Sequence, residues 1–133
     1  MFGSRRRLPP LPPSFLFGVA TADHQSEAYD PAHPDIWDVW EQEHGLPARQ
    51  KATDFWNRFE EDIRNAQALG CKIFRFSVAW SRVETSAGQF DEAAFAHYRA
   101  IVDCIVGAGM EPFVTLLHFT WPEHLEREDG LLA

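Results

Sequence analysis

The run from Phe74 to Arg82, FRFSVAWSR, combines an apolar alternation with an arginine and hydroxyl groups. Phe74 and Phe76 alternate with Arg75 and Ser77, and successive side chains of a strand point to opposite faces of a sheet. One face is therefore apolar, and the other presents a guanidinium and a hydroxyl. The apolar neighbours predict that Arg75 is buried. Because a buried guanidinium is costly without an anion, the pattern indicates either a structural ion pair or a ligand site.

Polar side chains also follow the other two predicted strands. The apolar run at 15–20, FLFGVA, predicts a strand buried on both sides, and the polar segment 23–27, DHQSE, comes directly after it. A third apolar run, FVTLL at 113–117, ends just before His118. Ligands of helix-covered sheets bind where the strands end, so Gln25 and His118 join Arg75 as candidate site residues. The alternatives are a solvated loop at 23–27 and a hydrogen-bonded core histidine at 118.

Two amphipathic helices separate the predicted strands. Thr53 or Asp54 can cap the first helix, whose apolar residues recur every three or four positions until Gly70 ends it. Asp91 can cap the second, which places a set of apolar residues on one face: Phe95, Tyr98, Ile101, Val102 and Ile105. Between the first strand and the first helix, Trp37 and Trp40 are predicted to cover one end of the core.

The order strand, helix, strand, helix, strand implies parallel pairing and the α/β class. A doubly wound sheet and a (β/α)8 barrel both begin this way. No glycine-rich phosphate loop follows the first strand, which disfavours a dinucleotide-binding sheet. Polar groups instead follow every strand, and in barrels that end of the sheet builds the active site. The polar groups are Gln25 and Glu27 after the first strand, Trp80 and Arg82 at the second and His118 after the third.

Composition limits the partners that we expect. The 133 residues are 45% apolar with a net charge of −8, which suits a domain with a core and disfavours nucleic acids and anionic membranes as partners. Neutral, hydroxyl-rich ligands are compatible with this charge. No apolar stretch approaches the roughly 20 residues needed to cross a bilayer. Cys71 and Cys104 could form a single disulfide, but two cysteines do not make a disulfide framework. We therefore expect a cytoplasmic protein.

Residues 1–14 form a predicted arm that is rich in arginine and proline. Arg5, Arg6 and Arg7 precede a proline-rich segment that is restricted to polyproline II or loop. The spacing of Arg6, Pro9 and Pro12 matches ligands of SH3 domains, although such spacing also arises by chance in proline-rich arms. A secretory signal cleaved after 20–22, ATA, is the other alternative, and the prolines disfavour it.

Five segments resemble, in order, the opening portion of family 1 glycoside hydrolases, the β-glucosidase family. They are FLFGVATADHQSE at 15–27, DIWD at 35–38, TDFWNRFEED at 53–62, FRFSVAWSR at 74–82 and EPFVTLLHFTWP at 111–122. The resemblance implies a (β/α)8 barrel of which residues 15–133 form the amino-terminal part. It also implies hydrolysis of β-linked glycosides with retention of configuration, and we expect neither a metal ion nor a cofactor.

The resemblance assigns roles residue by residue. Gln25 matches a glutamine that binds sugar hydroxyls, and His118 matches a histidine that contacts another hydroxyl of the same sugar. Phe119 stands where the family usually has tryptophan, so stacking on a sugar face would take a different shape. Arg75 matches the arginine that supports the nucleophilic carboxylate, which supplies the anion that the strand pattern requires.

The sequence departs from the family pattern close to these positions. Ala28 stands where glycine is usual, Ser26 replaces a larger apolar residue, and Trp121 comes two positions after Phe119. His24 occupies a position where an aromatic residue is more usual, and we assign it no role. We therefore expect a rearranged loop after the first strand.

The asparagine-glutamate-proline and glutamate-asparagine-glycine motifs that carry the two catalytic glutamates do not occur in these 133 residues. A barrel takes about 250 residues, so we expect an open partial barrel with a bare edge and an inactive isolated chain. Glu27, Glu84 and Glu123 are disfavoured as substitutes because their spacing pairs no two of them. A complementing carboxy-terminal chain or self-association is expected. The alternative function is a non-catalytic sugar-binding or interaction module.

Overall fold

The computed structural model describes residues 9–127. In chain order the elements are β1 (Gly18–Ala20), α1 (Asp23–Ser26), α2 (Ile36–Glu43), α3 (Phe55–Ala68), β2 (Ile73–Ser77), α4 (Trp80–Val83), β3 (Glu84–Ser86), β4 (Gln89–Phe90), α5 (Glu92–Gly107), β5 (Glu111–Thr115) and α6 (Glu123–Glu126). β1, β2 and β5 form a parallel sheet with β2 in the centre, and β3 and β4 form a short antiparallel hairpin. The predicted α/β class is confirmed, and residues 9–127 form no closed barrel.

The core lies between the sheet and the helices α3 and α5. Phe74 and Phe76 of β2 are buried together with apolar side chains from both helices, among them Phe55, Ile63, Ala66, Ile101 and Ile105. The ring of Phe55 stacks on that of Phe74 with 5.8 Å between centroids. The alternation predicted for β2 is confirmed, because its phenylalanines enter this core while Arg75 between them remains half-buried.

The predicted ends of the helices are confirmed in part. The Asp91 side chain accepts a hydrogen bond from the Ala93 amide at 2.8 Å and caps α5, and Gly70, at φ +82°, follows the end of α3. The capping predicted for α3 is wrong. Asp54 adopts φ 59° and makes no side-chain cap, and Thr53 Oγ1 donates 3.0 Å to the Ser26 carbonyl instead. Thr53 therefore ties α3 to the segment after β1.

Burial differs from prediction at the two edge strands. β1 covers only Gly18–Ala20, and the apolar residues before it, Phe15, Leu16 and Phe17, are exposed rather than buried on both sides. The apolar run at the other edge is exposed as well, at Phe113, Val114, Leu116 and Leu117. Each edge strand has only β2 as a neighbour among the described residues, so part of its surface meets no other element. The predicted bare edge is confirmed.

The prediction that Trp37 and Trp40 cover the core is wrong, because both tryptophans are exposed on α2. α2 instead turns a polar side chain inward, since Asp38 is buried and pairs with Arg49 at 2.8 Å. Phe95 is likewise exposed, although Tyr98, Ile101 and Ile105 on α5 are buried as predicted. Phe95 lies beside Phe90 of the hairpin, with 6.4 Å between ring centroids.

The proline segment 9–13 is exposed and forms neither helix nor strand. The arginines at 5–7 lie outside the described residues, so the SH3-ligand and secretory-signal interpretations stay predictions. Cys71 and Cys104 are both free thiols, so they form no disulfide with each other. Within residues 9–127, no helix combines the length and the apolar character that a membrane crossing requires.

Candidate functional site

Buried hydrogen bonds around Asp23 join the ends of the three parallel strands. The Asp23 amide donates to Ser77 Oγ at 2.8 Å, and Ser77 Oγ donates back to Asp23 Oδ1 at 2.6 Å. Thr120 Oγ1 donates to the other carboxylate oxygen of Asp23. Asp23 follows β1, Ser77 ends β2 and Thr120 follows β5, and all three residues are buried. These bonds hold the loops at the carboxyl edge of the sheet together, where barrels place their sites.

Arg75 and His118 meet at this edge. One terminal nitrogen of the guanidinium lies 2.8 Å from His118 Nδ1, and Arg75 Nε donates to Thr115 Oγ1 at 2.9 Å. Because arginine only donates, Nδ1 accepts and the ring proton of His118 lies on Nε2. That N–H is then a donor for a ligand hydroxyl.

Arg75 differs from the sequence expectation in its burial and in its partner. The guanidinium is half-buried, and within residues 9–127 no carboxylate lies at ion-pair distance from it. The structural ion pair that the strand pattern left open is formed instead by Arg82. The other interpretation was a ligand site at Arg75. It agrees with the structure, because the Arg75 guanidinium keeps hydrogen-bond donors available for an anion.

Gln25 and Phe119 belong to the same edge. Gln25 is exposed on α1, two positions after Asp23. Phe119 is exposed, with its ring centroid 4.2 Å from that of His118, and it adopts φ +50°, an uncommon backbone conformation for a bulky residue. The Phe119 carbonyl accepts a hydrogen bond from Trp37 Nε1 at 2.9 Å. Strained backbone of this kind is found at ligand sites. His118 thus contacts both Arg75 and Phe119, whereas the structure shows no direct contact between Gln25 and these three residues.

Glu27 belongs to a buried structural network. Its carboxylate accepts from Arg82 Nε at 2.8 Å and from the Tyr98 hydroxyl at 2.9 Å, and Arg82 also contacts Asp30 at 3.0 Å. The guanidinium carbon of Arg82 lies 4.3 Å from the ring centroid of Trp56. Burial raises the pKa of Glu27 to about 7, although the charge of Arg82 opposes the shift. Arg82 is therefore occupied by structural partners.

The other carboxylates weighed as substitute catalytic groups are also engaged. Glu84 accepts from the Gly88 amide at 2.9 Å and from Trp80 Nε1 at 2.6 Å, and these hydrogen bonds, led by that of Gly88, lower its pKa. Glu123 pairs with Arg127. Retaining hydrolysis needs two carboxyl groups about 5 Å apart, and neither carboxylate contacts Arg75. Arg75 and His118 offer hydrogen-bond donors at this edge, but within residues 9–127 no carboxylate lies at ion-pair distance from Arg75.

Several residues that position the site were not among the sequence candidates. Thr115 holds the Arg75 guanidinium, while Ser77 and Thr120 hold Asp23. Their signal in the sequence is weak, because a hydroxyl at the end of an apolar run is common. Only the meeting of distant segments identifies them.

Comparison with known proteins extends the likeness beyond these residues. The family model described as "Glycosyl hydrolase family 1" matches residues 8–132. Beta-glucosidase 6 of Oryza sativa subsp. japonica is 36% identical over 87% of this chain and 24% of its own length. Furcatin hydrolase of Viburnum furcatum is 33% identical over 92% of this chain and 25% of its own length. The chain thus spans about a quarter of the length of these curated relatives.

Solved structures agree with the sequence comparison. The β-glycosidase from Pyrococcus horikoshii superposes with a TM-score of 0.82 at 37% identity, covering 92% of this chain and 29% of that one. The family 1 β-glucosidase from Thermotoga maritima gives a TM-score of 0.79 at 32% identity, covering 90% and 29%. The fold is therefore the opening portion of a TIM barrel. On the family match and these structural relatives, the chain belongs to glycosyl hydrolase family 1.

Proposed function

We propose that this chain supplies the sugar-binding portion of a retaining β-glycosidase, with a β-glucoside as the substrate class. Gln25 and His118 bind sugar hydroxyls, and Phe119 stacks on the sugar face. Arg75 holds the nucleophilic carboxylate ionised. Both catalytic carboxyl groups come from residues outside this sequence, so the 133 residues alone are inactive.

The contact between Arg75 and His118 carries the proposal. A guanidinium with no carboxylate at ion-pair distance in the described part of the chain lies 2.8 Å from a histidine with an Nε2–H to donate. Arg75 is thereby placed to pair with an incoming anion, and His118 to bind a neutral hydroxyl. A sugar beside a catalytic carboxylate presents both groups.

The proposed chemistry takes two steps. A carboxylate beside Arg75 attacks the anomeric carbon while a second carboxyl group protonates the departing glycosidic oxygen. Water then attacks the anomeric carbon of the glycosyl-enzyme, gives its proton to the second carboxylate and releases the sugar. Arg75 favours the ionised nucleophile through its charge.

The proposal includes a complementing portion of the barrel, on the same polypeptide or on a partner chain. The exposed apolar side chains Phe113, Val114, Leu116 and Leu117 on and after β5 support it. An unpaired strand edge is a template for pairing with a further strand. A cytoplasmic location is also proposed, and the free thiols Cys71 and Cys104 support it.

Complementation tests the function. The full chain is mixed with the part of the Thermotoga maritima β-glucosidase that follows its third barrel strand, and hydrolysis of an aryl β-glucoside is measured. We expect no turnover by either part alone and turnover by the mixture. An Arg75→Met chain in the same mixture should lose at least about a hundredfold in rate, in line with removal of one preorganised electrostatic group.

A sugar-binding module without catalysis predicts a different result. If the mixture forms a complex and binds a glucose-type inhibitor but does not hydrolyse the glucoside, the glycosidase proposal is wrong. If Arg75→Met supports the same rate as the unchanged chain, the role proposed for Arg75 is wrong.

A further inference from the structure

A second cluster of ionisable side chains lies between α1 and α2. Both ring nitrogens of His24 face carboxylates, with Nδ1 2.9 Å from Asp35 Oδ2 and Nε2 3.3 Å from Glu41 Oε1. Asp38 Oδ1 lies 3.9 Å from His24 Nδ1. One ligand atom each from His24, Asp38 and Glu41 lies within 4.8 Å of the other two.

Two carboxylate oxygens of the cluster have no hydrogen-bond partner among residues 9–127. They are Asp38 Oδ1 and Glu41 Oε2, and both atoms are buried. The Asp38 side chain is only 2% exposed, and its other oxygen is already bound by Arg49 at 2.8 Å and by the Asp35 amide at 3.1 Å. A buried acceptor without a partner costs free energy, so Oδ1 points to a missing donor or cation beside His24.

The charge of the cluster favours a cation. Asp35, Asp38 and Glu41 are three carboxylates, and Arg49 is the fixed cation that contacts this group, on Asp35 and Asp38. Three carboxylates thus face one guanidinium, and a cation bound between His24, Asp38 and Glu41 would offset that excess of negative charge.

We propose that His24, Asp38 and Glu41 bind a divalent transition metal ion, with Zn²⁺ as the representative. One imidazole nitrogen and two carboxylate oxygens form a ligand set that zinc accepts, and an open position remains for water. Tetrahedral zinc with bonds of about 2.0–2.2 Å holds its ligand atoms roughly 3.3–3.6 Å apart, so the side chains close inward on binding. Asp35 and Arg49 then orient His24 and Asp38 from outside the coordination sphere.

This site is distinct from the sugar site. Arg75 and His118 contact none of its ligands, and Asp35 holds α2 through its cap rather than through the metal. The bound ion would fasten α1, which carries Gln25, to α2. The inference rests on the geometry around His24 and does not depend on the proposed glycosidase activity.

Zinc titration of the full chain tests the site. Calorimetry at mildly alkaline pH with zinc chloride should show one ion per chain. The variants His24→Gln and Glu41→Gln should weaken binding by at least about tenfold, because each removes a ligand. His33→Gln is the matched control and should bind as the unchanged chain does. His33 is also half-buried and pairs with one aspartate, Asp30, at 3.0 Å, but outside the cluster.

Folding of each variant is checked by circular dichroism, and Glu41→Gln decides the outcome if His24→Gln does not fold, because Glu41 lies nearer the surface. Zinc-edge X-ray absorption on the unchanged chain should show nitrogen and oxygen ligands that include an imidazole. Absence of saturable binding, equal binding by Glu41→Gln, or sulfur ligands from Cys71 or Cys104 would overturn the proposal.

Discussion

Arg75 and Arg82 belong to the same sequence motif but serve different purposes. Arg82 is buried, donates to Glu27 and Asp30 and packs against Trp56. Arg75 is half-buried and contacts a hydroxyl and an imidazole. A buried cation with satisfied carboxylates holds the fold together, whereas a cation held only by neutral groups keeps its charge available for a ligand.

Substitution of the two arginines by methionine should separate these roles. Arg82→Met leaves the buried Glu27 carboxylate without its cation and should lower the free energy of unfolding by about 3–5 kcal/mol. Arg75→Met loses hydrogen bonds to neutral partners and should cost about 1 kcal/mol. Urea unfolding followed by circular dichroism measures both values. Equal losses in the two variants would contradict the division of roles.

The Glu27 carboxyl predicts how stability depends on pH. Its pKa rises from 4.5 to about 7 on folding, so the folded chain retains this proton at pH values where the unfolded chain has released it. The contribution of Glu27 to stability is complete below about pH 4.5 and is lost as the pH rises to about 7, by up to about 3 kcal/mol.

Glu27→Gln removes this titration and should flatten the decline in that pH range. The measurement is the free energy of urea unfolding at several pH values. Glu61→Gln, on the exposed face of α3, is the control and should keep the slope of the unchanged chain. A slope that is the same for Glu27→Gln and the unchanged chain would contradict the shifted pKa.

At the scale of single elements, the pairing of β1 with β2 depends on Gly18. It is paired with Ile73, and a Cβ at Gly18 would lie 2.7 Å from the Ile73 carbonyl oxygen and 2.9 Å from its Cβ. Backbone atoms cannot yield as a flexible side chain does, so only glycine permits this approach. The position of β1, and of the site residues after it, depends on that contact.

Gly18→Ala should therefore destabilise the chain by about 1–3 kcal/mol, the usual cost of overpacking. Gly107→Ala is the matched control. In the described part of the chain, no atom outside the local helix backbone lies within 4 Å of a Cβ there, and alanine favours the helix α5 by up to about 1 kcal/mol. Thermal unfolding of both variants should show opposite shifts in Tm. A neutral Gly18→Ala would contradict the close pairing of β1 with β2.

The described part of the molecule has one helix-covered sheet with two open edges. β5 pairs only with β2, and Leu116 directly after it is 78% exposed. A contiguous apolar surface of this kind promotes association with other chains. The same surface is where the proposed complementing portion of the barrel would pack.

Leu116→Lys should reduce self-association of the isolated chain and weaken complementation, because a charge replaces an apolar contact on that surface. Leu69→Lys is the matched control. Leu69 is equally exposed at 79%, but it lies at the end of α3, away from the strand edge. Light scattering measures the mass of each variant. If Leu116→Lys and Leu69→Lys change self-association equally, the β5 surface has no special part in association.

The sequence by itself was sufficient to predict the strands and helices of the central β/α units and to identify the family. Alternation in β2 and the apolar periodicity of α3 and α5 are local, so they could be predicted without knowledge of contacts. The same holds for Asp91, whose side chain caps the helix that begins next to it. The ordered motifs located Gln25 and His118 after strands and Arg75 within β2, and parallel strands bring their carboxyl ends to one edge of the sheet.

Only the tertiary structure decided which of these residues meet and which side chains are covered. Trp37 and Phe17 are apolar yet exposed, and Asp38 is charged yet buried, because burial depends on which distant segments pack together. The contacts of Arg75 with His118 and of His24 with Asp38 and Glu41 likewise join residues that local spacing does not connect. Periodicity is a property of neighbouring residues, whereas a site is a property of the contacts between distant ones.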